Sequence, residues 1–289
     1  MNTKEQTNRY REYMEAWLNN CFRYADEPQQ TLFEAMRYSL LAGGKRLRPL
    51  FVLDFCRMCG GDWKKAAPIA AAVEMIHTYS LIHDDLPCMD DDDYRRGRLT
   101  NHKVYGEAVA VLAGDGLLTA AFSTIASADY PAEVRIRCVE VLSRCAGELG
   151  MVGGQVLDMQ SETRGCTEQE VLDIQSRKTG ALIKAACVLG VLAGGGSKEQ
   201  EAAAGEFAEH LGLAFQIRDD MLDVIGDAAQ LGKAVGVDGN KNTFVQLYGL
   251  DSCDKLVRSH TESALAALAA FRDPEYMCCL AMQLTDRTV

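Results

Sequence analysis

Proline is scarce in this chain, six among 289 residues, and no Pro-, Ser- and Gly-rich stretch divides it into halves. The longest glycine run, Gly194-Gly195-Gly196-Ser197, is short enough for a turn between helices, so a single domain over residues 1–289 is expected. Basic charge is short as well: 30 Lys and Arg stand against 41 Asp and Glu, a formal net charge of −11. No broad basic field is left to neutralise phosphates along a nucleic acid. No apolar run reads as membrane-spanning, since the best of them, residues 181–196, is interrupted by Lys184 and ends in glycines. The N-terminal residues are polar throughout, with neither the apolar segment of a signal peptide nor transit-peptide character, so a cytoplasmic protein is expected. Cysteine is not scarce, but the 11 residues are odd in number and sit in apolar stretches, as at Cys138, Cys145 and Cys187. That argues for reduced, buried thiols and against a disulfide framework. The pair Cys56 and Cys59 has no second pair or His at zinc spacing and reads as helix packing.

What the chain has is helical periodicity nearly everywhere, with 48% hydrophobic residues, enough for a sizeable core. The fold class is all-α, a helical bundle, with helices expected over 9–24, 30–41, 50–59, 63–84, 105–126, 131–149, 153–161, 168–192, 198–223 and 243–250, and more beyond 252. Two segments, 66–83 and 181–192, are apolar almost all round and belong at the centre.

Two aspartate clusters each follow an apolar, helix-patterned stretch, 80–83 and 212–218: Asp84-Asp85-Leu86-Pro87-Cys88-Met89-Asp90, continuing to Asp93, and Asp219-Asp220-Met221-Leu222-Asp223. A single acidic run is ordinarily a solvated helix turn. Two runs, each closing an apolar helix, place carboxylates against an apolar wall and call for a cation. Asp219 and Asp223 share a helix face one turn apart, with Asp220 pointing elsewhere. Asp84 and Asp90 would stand about 120° out of phase on a straight helix, but Pro87 breaks or kinks it between them. A donor set of carboxylates without Cys or His favours Mg²⁺ or Mn²⁺ over zinc. The EF-hand spacing is absent.

Cations occur at a few restricted places. Gly43-Gly44-Lys45-Arg46-Leu47-Arg48-Pro49 sets three of them between a glycine pair and a proline suited to a helix start. This is either a diphosphate site or a basic turn complementing a helix dipole; it is not a P-loop. Arg95 and Arg96 follow the first acidic run, as a phosphate clamp requires. Lys178 and Thr179 fall within an apolar helix, where the cation either meets an anion or snorkels outward. His77 lies seven residues before Asp84, nearly on the same face, as a ligand to the same molecule or a satisfied core residue.

Taken in order, these strings resemble the trans-isoprenyl diphosphate synthases, and among them the bacterial farnesyl diphosphate synthases (geranyltranstransferases). The resemblance runs from Gly43 to Pro49, through Glu74 to Gly97, and on to Gly153-Gly154-Gln155, Lys178-Thr179-Gly180, Gly212 to Asp223 and Leu231-Gly232-Lys233. It implies a bundle around a deep central cavity, usually a homodimer, and three Mg²⁺ ions (Mn²⁺ as a substitute) clamping an allylic diphosphate. By the same resemblance, Asp84, Asp85 and Asp90 belong to one metal-binding motif and Asp219 and Asp223 to the other. Arg95, Lys178, Thr179, Gln216 and Lys233 would face the allylic substrate. Gly44, Lys45, Arg48, His77 and Arg96 would bind isopentenyl diphosphate.

In the family the residue five positions before the first Asp forms a floor for the growing chain; here it is Tyr79, followed by Ser80. Tyr79 lies about 7.5 Å along the helix from Asp84, which favours a C15 product over the C20 or C10 alternatives. It is also rotated from Asp84 by about 140°, whereas Ser80 nearly shares its face. Leu99 stands where the family commonly has proline, Lys241 lies in a loop shorter than usual, and Arg287 is the only basic residue near the C-terminus. Two other readings are a class I terpene cyclase, which has no need of the Lys45–Arg48 cations, and a non-catalytic synthase subunit, whose acidic motifs are usually degraded; both are complete here.

Overall fold

The computed structural model describes residues 2–161, 164–231 and 243–287, with 226–231 described in backbone only. The helices are α1 (Thr3–Asn19), α2 (Gln30–Leu40), α3 (Leu47–Met58), α4 (Ala67–Asp84), α5 (Asn101–Tyr105), α6 (Glu107–Ala126), α7 (Ala132–Ala146), α8 (Met151–Ser161), α9 (Glu168–Gln175), α10 (Ala181–Ala193), α11 (Lys198–Leu231), α12 (Phe244–Tyr248), α13 (Leu250–Ala267) and α14 (Glu275–Thr285). The fold is all-α, as expected. A two-residue hairpin, β1 (Tyr94–Arg95) and β2 (Arg98–Leu99), escaped the sequence reading because it is too short to show alternation.

Helices α4 and α10 are buried on nearly every side, as their all-round apolar sequences require. Helix α3 joins them at the centre. Its polar residues disguise it in sequence, but Asp54 is fully buried and satisfied by Tyr10 Oη at 2.9 Å and Arg57 Nε at 2.8 Å. Close approach of α3 and α10 needs Gly190, where a Cβ would meet Val52 O at 2.5 Å. A second, smaller core of Val171, Ala214, Ile217, Met221, Phe244, Cys253 and Val257 lies beneath the second acidic motif.

Three local breaks position the functional side chains. Helix α4 stops at Asp84 rather than bending through Pro87; Pro87 has no N–H to give the His83 carbonyl, which accepts from Leu86 N at 3.2 Å, and the Asp84 carbonyl accepts from Asp90 N at 2.9 Å. The hairpin turn places Arg96 and Gly97 at φ 54° and 73°, the left-handed pair of a tight type I′ turn. The expected helix over 168–192 is interrupted by a π-turn, Ser176–Gly180. Gly154 of α8 lies so close to that turn that a Cβ there would sit 2.3 Å from Lys178 N.

By length and composition α6 is apolar enough to cross a membrane, contrary to the sequence reading, which had singled out residues 181–196. It carries Asp115 mid-helix, exposed, and only a third of its apolar window is buried.

Candidate active site

The basic strings converge on one cavity of about 550 Å³, lined by Gly44, Lys45, Arg48, Glu74, His77 and Arg96 among others. Arg96 swings back from its hairpin so that Nη1 donates to Gly43 O. Its guanidinium occupies the space a side chain at residue 44 would need: a Cβ on Gly44 would lie 2.8 Å from Arg96 Cζ. Arg48 Nε is buried without a hydrogen-bond partner, a donor left unsatisfied by the protein itself. Burial, then the Arg48 and Arg96 guanidiniums, holds the His77 imidazole well below its usual range, leaving it neutral at neutral pH.

Arg46 is the exception within its string. Its side chain is fully buried, with Nε 2.7 Å from Glu15 Oε1, Nη1 2.6 Å from Glu74 Oε1 and Nη2 donating to Leu40 O at 2.8 Å. It holds α1, α2 and α4 together at the mouth of the cavity, and sequence spacing gave no means of telling it from Lys45 or Arg48.

The first acidic motif stands beside this cavity. Asp84 has its carboxyl pushed up to about 6, first by burial, with Asp90 and Asp85 adding like charge against the opposing pull of Lys178 and Arg95. Asp90 is exposed on the turn after Pro87. Asp85, grouped in sequence with the metal ligands, is buried and accepts from Arg95 Nε at 2.5 Å, so it braces the clamp arginine. Lys178 points from the π-turn to Asp158 Oδ2 at 2.5 Å. Asp158 was missed in sequence; the signal available was its position three residues after Gln155 in the Gly153-Gly154-Gln155 string.

The second motif projects from α11. Ile217 and Met221 bury one side of the helix, while Asp223 on another is exposed; burial raises the Asp219 carboxyl, and Asp223 adds to this against the pull of Arg287. Asp219 pairs with Arg287. Asp220 does point elsewhere: it accepts from Phe244 N at 2.8 Å and, chiefly through burial, its carboxyl rises to about 6. Gln216, a turn before, donates to Gln175 Oε1 at 2.9 Å.

Arg48 also borders an apolar chamber of about 40 Å³, lined with it by Leu47, Phe51, Thr179, Ile183, Leu211, Phe215 and Leu284. Tyr79 is buried against His83, ring centroids 5.7 Å apart, with its hydroxyl pushed up to about 12 by burial and then by Asp84. Ser80 is half-buried and donates to His77 O at 3.0 Å. Lys233 and Lys241 lie outside the described residues.

Among the described residues no three His, Cys, Asp or Glu side chains gather tightly enough to chelate a metal unaided. The carboxylates of the two motifs are instead spread along the turn after α4 and along α11. That fits Mg²⁺, which keeps much of its water and takes one or two carboxylates together with substrate phosphates.

Comparison with known proteins agrees with this geometry. Residues 29–273 match the polyprenyl synthetase family. A farnesyl diphosphate synthase of Geobacillus stearothermophilus is 46% identical over 269 residues, 91% of this chain and 90% of that one. A chloroplastic geranylgeranyl pyrophosphate synthase of Catharanthus roseus is 48% identical over 249 residues, 84% of this chain and 70% of the other. The crystal structure of an FPP/GFPP synthase from Zymomonas mobilis superposes with a TM-score of 0.88 at 34% identity, covering 98% of each chain.

Proposed function

The chain belongs to the polyprenyl synthetase family, and from that premise we propose that it is a farnesyl diphosphate synthase working with Mg²⁺. It condenses isopentenyl diphosphate with dimethylallyl diphosphate, then with geranyl diphosphate, to the C15 product. The observation that carries this reading is the adjoining of two unlike sites. One is a cation-lined cavity holding an unpartnered buried Arg48 Nε. The other is a pair of carboxylate walls that can hold an anion only through a metal.

In this reading Asp84 and Asp90 would hold metal from one motif and Asp219 and Asp223 from the other, three ions per site, which when bound would supply charge withdrawal from the allylic leaving group. Lys178 and Arg95, held by Asp158 and Asp85, place fixed positive charge on the allylic diphosphate without having to reorganise. Thr179 and Gln216, with Lys233, complete that contact. Lys45, Arg48 and Arg96, with neutral His77 as a hydrogen-bonding partner, hold isopentenyl diphosphate and fix its double bond against the allylic carbon. The apolar chamber of Phe51, Ile183, Leu211 and Phe215 borders Arg48 and keeps water from trapping the allylic cation. The proton released after bond formation goes to the departed diphosphate.

The buried Tyr79 ring stops the growing chain. Its rotation from Asp84, and the C20-forming relative, make a geranylgeranyl product the second reading. The enzyme works in the cytoplasm as a homodimer, and the unburied apolar residues of α6, Val111 and Leu112 among them, supply the subunit interface. Purified protein given labelled isopentenyl diphosphate, dimethylallyl diphosphate and Mg²⁺ should yield a C15 chain by chromatography. A C20 chain would move the assignment to the second reading, and no elongation would exclude both.

A further inference from the structure

The C-terminal segment reaches into the second acidic motif. Arg218 Nε donates to Thr285 O at 2.6 Å, pinning the end of α14 onto α11, and Leu284 closes the apolar chamber. Arg287 then lies over the Phe215 ring at 4.3 Å and places Nη2 on Asp219 Oδ1. Its side chain is only 16% exposed, and its Nε is buried without a partner. Phe215 and Asp219 are one turn apart on α11, so one guanidinium covers both the chamber edge and the carboxylate above it.

A guanidinium on Asp219 Oδ1 takes the lone pairs a divalent cation needs, so the two compete. The contact also has a use: it neutralises a half-buried carboxylate that would otherwise face Asp223, a like charge on the same helix face. Arg287 carries one charge and a metal two. A divalent cation therefore outcompetes it for the Asp219 and Asp223 pair, and a diphosphate that brings further negative charge favours the exchange more.

We propose that Arg287 is a placeholder counter-ion for Asp219, competing directly with the divalent cation there and leaving with the tail when that cation binds. This rests on the reading of Asp219 as a metal ligand. Its consequence is an order of loading, with the Asp84 wall filled before the Asp219 wall.

The test uses the full-length protein and Mn²⁺ alone, counting bound ions by the loss of the free-ion paramagnetic resonance signal. Arg287→Gln should tighten Mn²⁺ binding about fivefold, the size expected of one partly exposed ion pair, while Arg287→Lys stays near the wild type. In an Asp219→Asn background the Arg287→Gln gain should vanish. Hydrogen exchange gives a readout independent of affinity: Mn²⁺ should speed exchange at the amides of residues 285–287 in the wild type. Unchanged or weaker Mn²⁺ binding in Arg287→Gln, with a wild-type thermal melt, overturns the placeholder alone if Asp219→Asn by itself still lowers Mn²⁺ binding. If Asp219→Asn leaves Mn²⁺ binding intact, the metal assignment of Asp219 falls and the placeholder with it.

Discussion

The two acidic motifs are alike in sequence and unlike in construction. The first sits where α4 ends, and one of its cationic neighbours comes from nearby, Arg95, ten residues beyond Asp85 and fixed to it by an ion pair, while the other, Lys178, comes from the π-turn. The second stays on an unbroken stretch of helix, and its partners come from far along the chain, Arg287 at a separation of 68 residues and Phe244 at 24. The first therefore takes its brace from its own loop and one cation from the π-turn, while the second depends on the docking of α12 and the C-terminal segment. In both motifs the middle aspartate is withdrawn from the site. Asp85 braces Arg95 and Asp220 braces the start of α12, while of the outer carboxylates Asp219 is paired with Arg287.

Substitutions at the outer positions should break both motifs alike. Asp84→Ala and Asp219→Ala are each expected to lower kcat by about 10³-fold or more, with thermal melts close to the wild type because neither side chain fills the core. Near-normal turnover in either would remove that wall from the metal site. The middle positions should separate the motifs. Asp85→Ala frees Arg95 and should reduce kcat/KM for the allylic substrate by about tenfold while leaving KM for isopentenyl diphosphate alone. Asp220→Asn replaces a carboxylate acceptor on a backbone N–H and should cost about 1–2 kcal/mol of stability by denaturant melt, with the smaller effect on rate. Equal loss of rate in both variants would mean that Asp220 also meets the substrate.

The architecture was largely legible in the sequence, and so was the approach of Gly44, Lys45, Arg48, His77 and Arg96 to one another. All-round apolar segments marked α4 and α10 as central, and the strings around Lys45 and Arg96, though some fifty residues apart, do close one cavity. What stayed hidden were commitments between side chains. Nothing in the order of Lys45, Arg46 and Arg48 tells that the middle one is spent on Glu15 and Glu74, because that depends on a left-handed backbone at Arg46, φ 53°. The π-turn carrying Lys178 has no periodic signature, and its tether Asp158 becomes visible only when α8 packs against it through Gly154.

The smallest effect on rate is expected where the motif gives way to the hydrocarbon site. Tyr79→Ala removes a buried ring and should shift the product toward C20 with kcat changed only a few-fold; an unaltered C15 product would place the floor elsewhere, with Ser80 the next position to test.

The central claim is a division of labour: the basic cavity holds isopentenyl diphosphate by direct charge, and the acidic walls hold the allylic diphosphate through metal. Titration calorimetry on the wild type and Arg48→Gln tests it most directly. The account predicts that isopentenyl diphosphate binds the wild type without Mg²⁺ and binds Arg48→Gln at least about tenfold more weakly. A geranyl diphosphate analogue, titrated with Mg²⁺, should bind both proteins alike. Equal weakening of both ligands in Arg48→Gln would contradict the division.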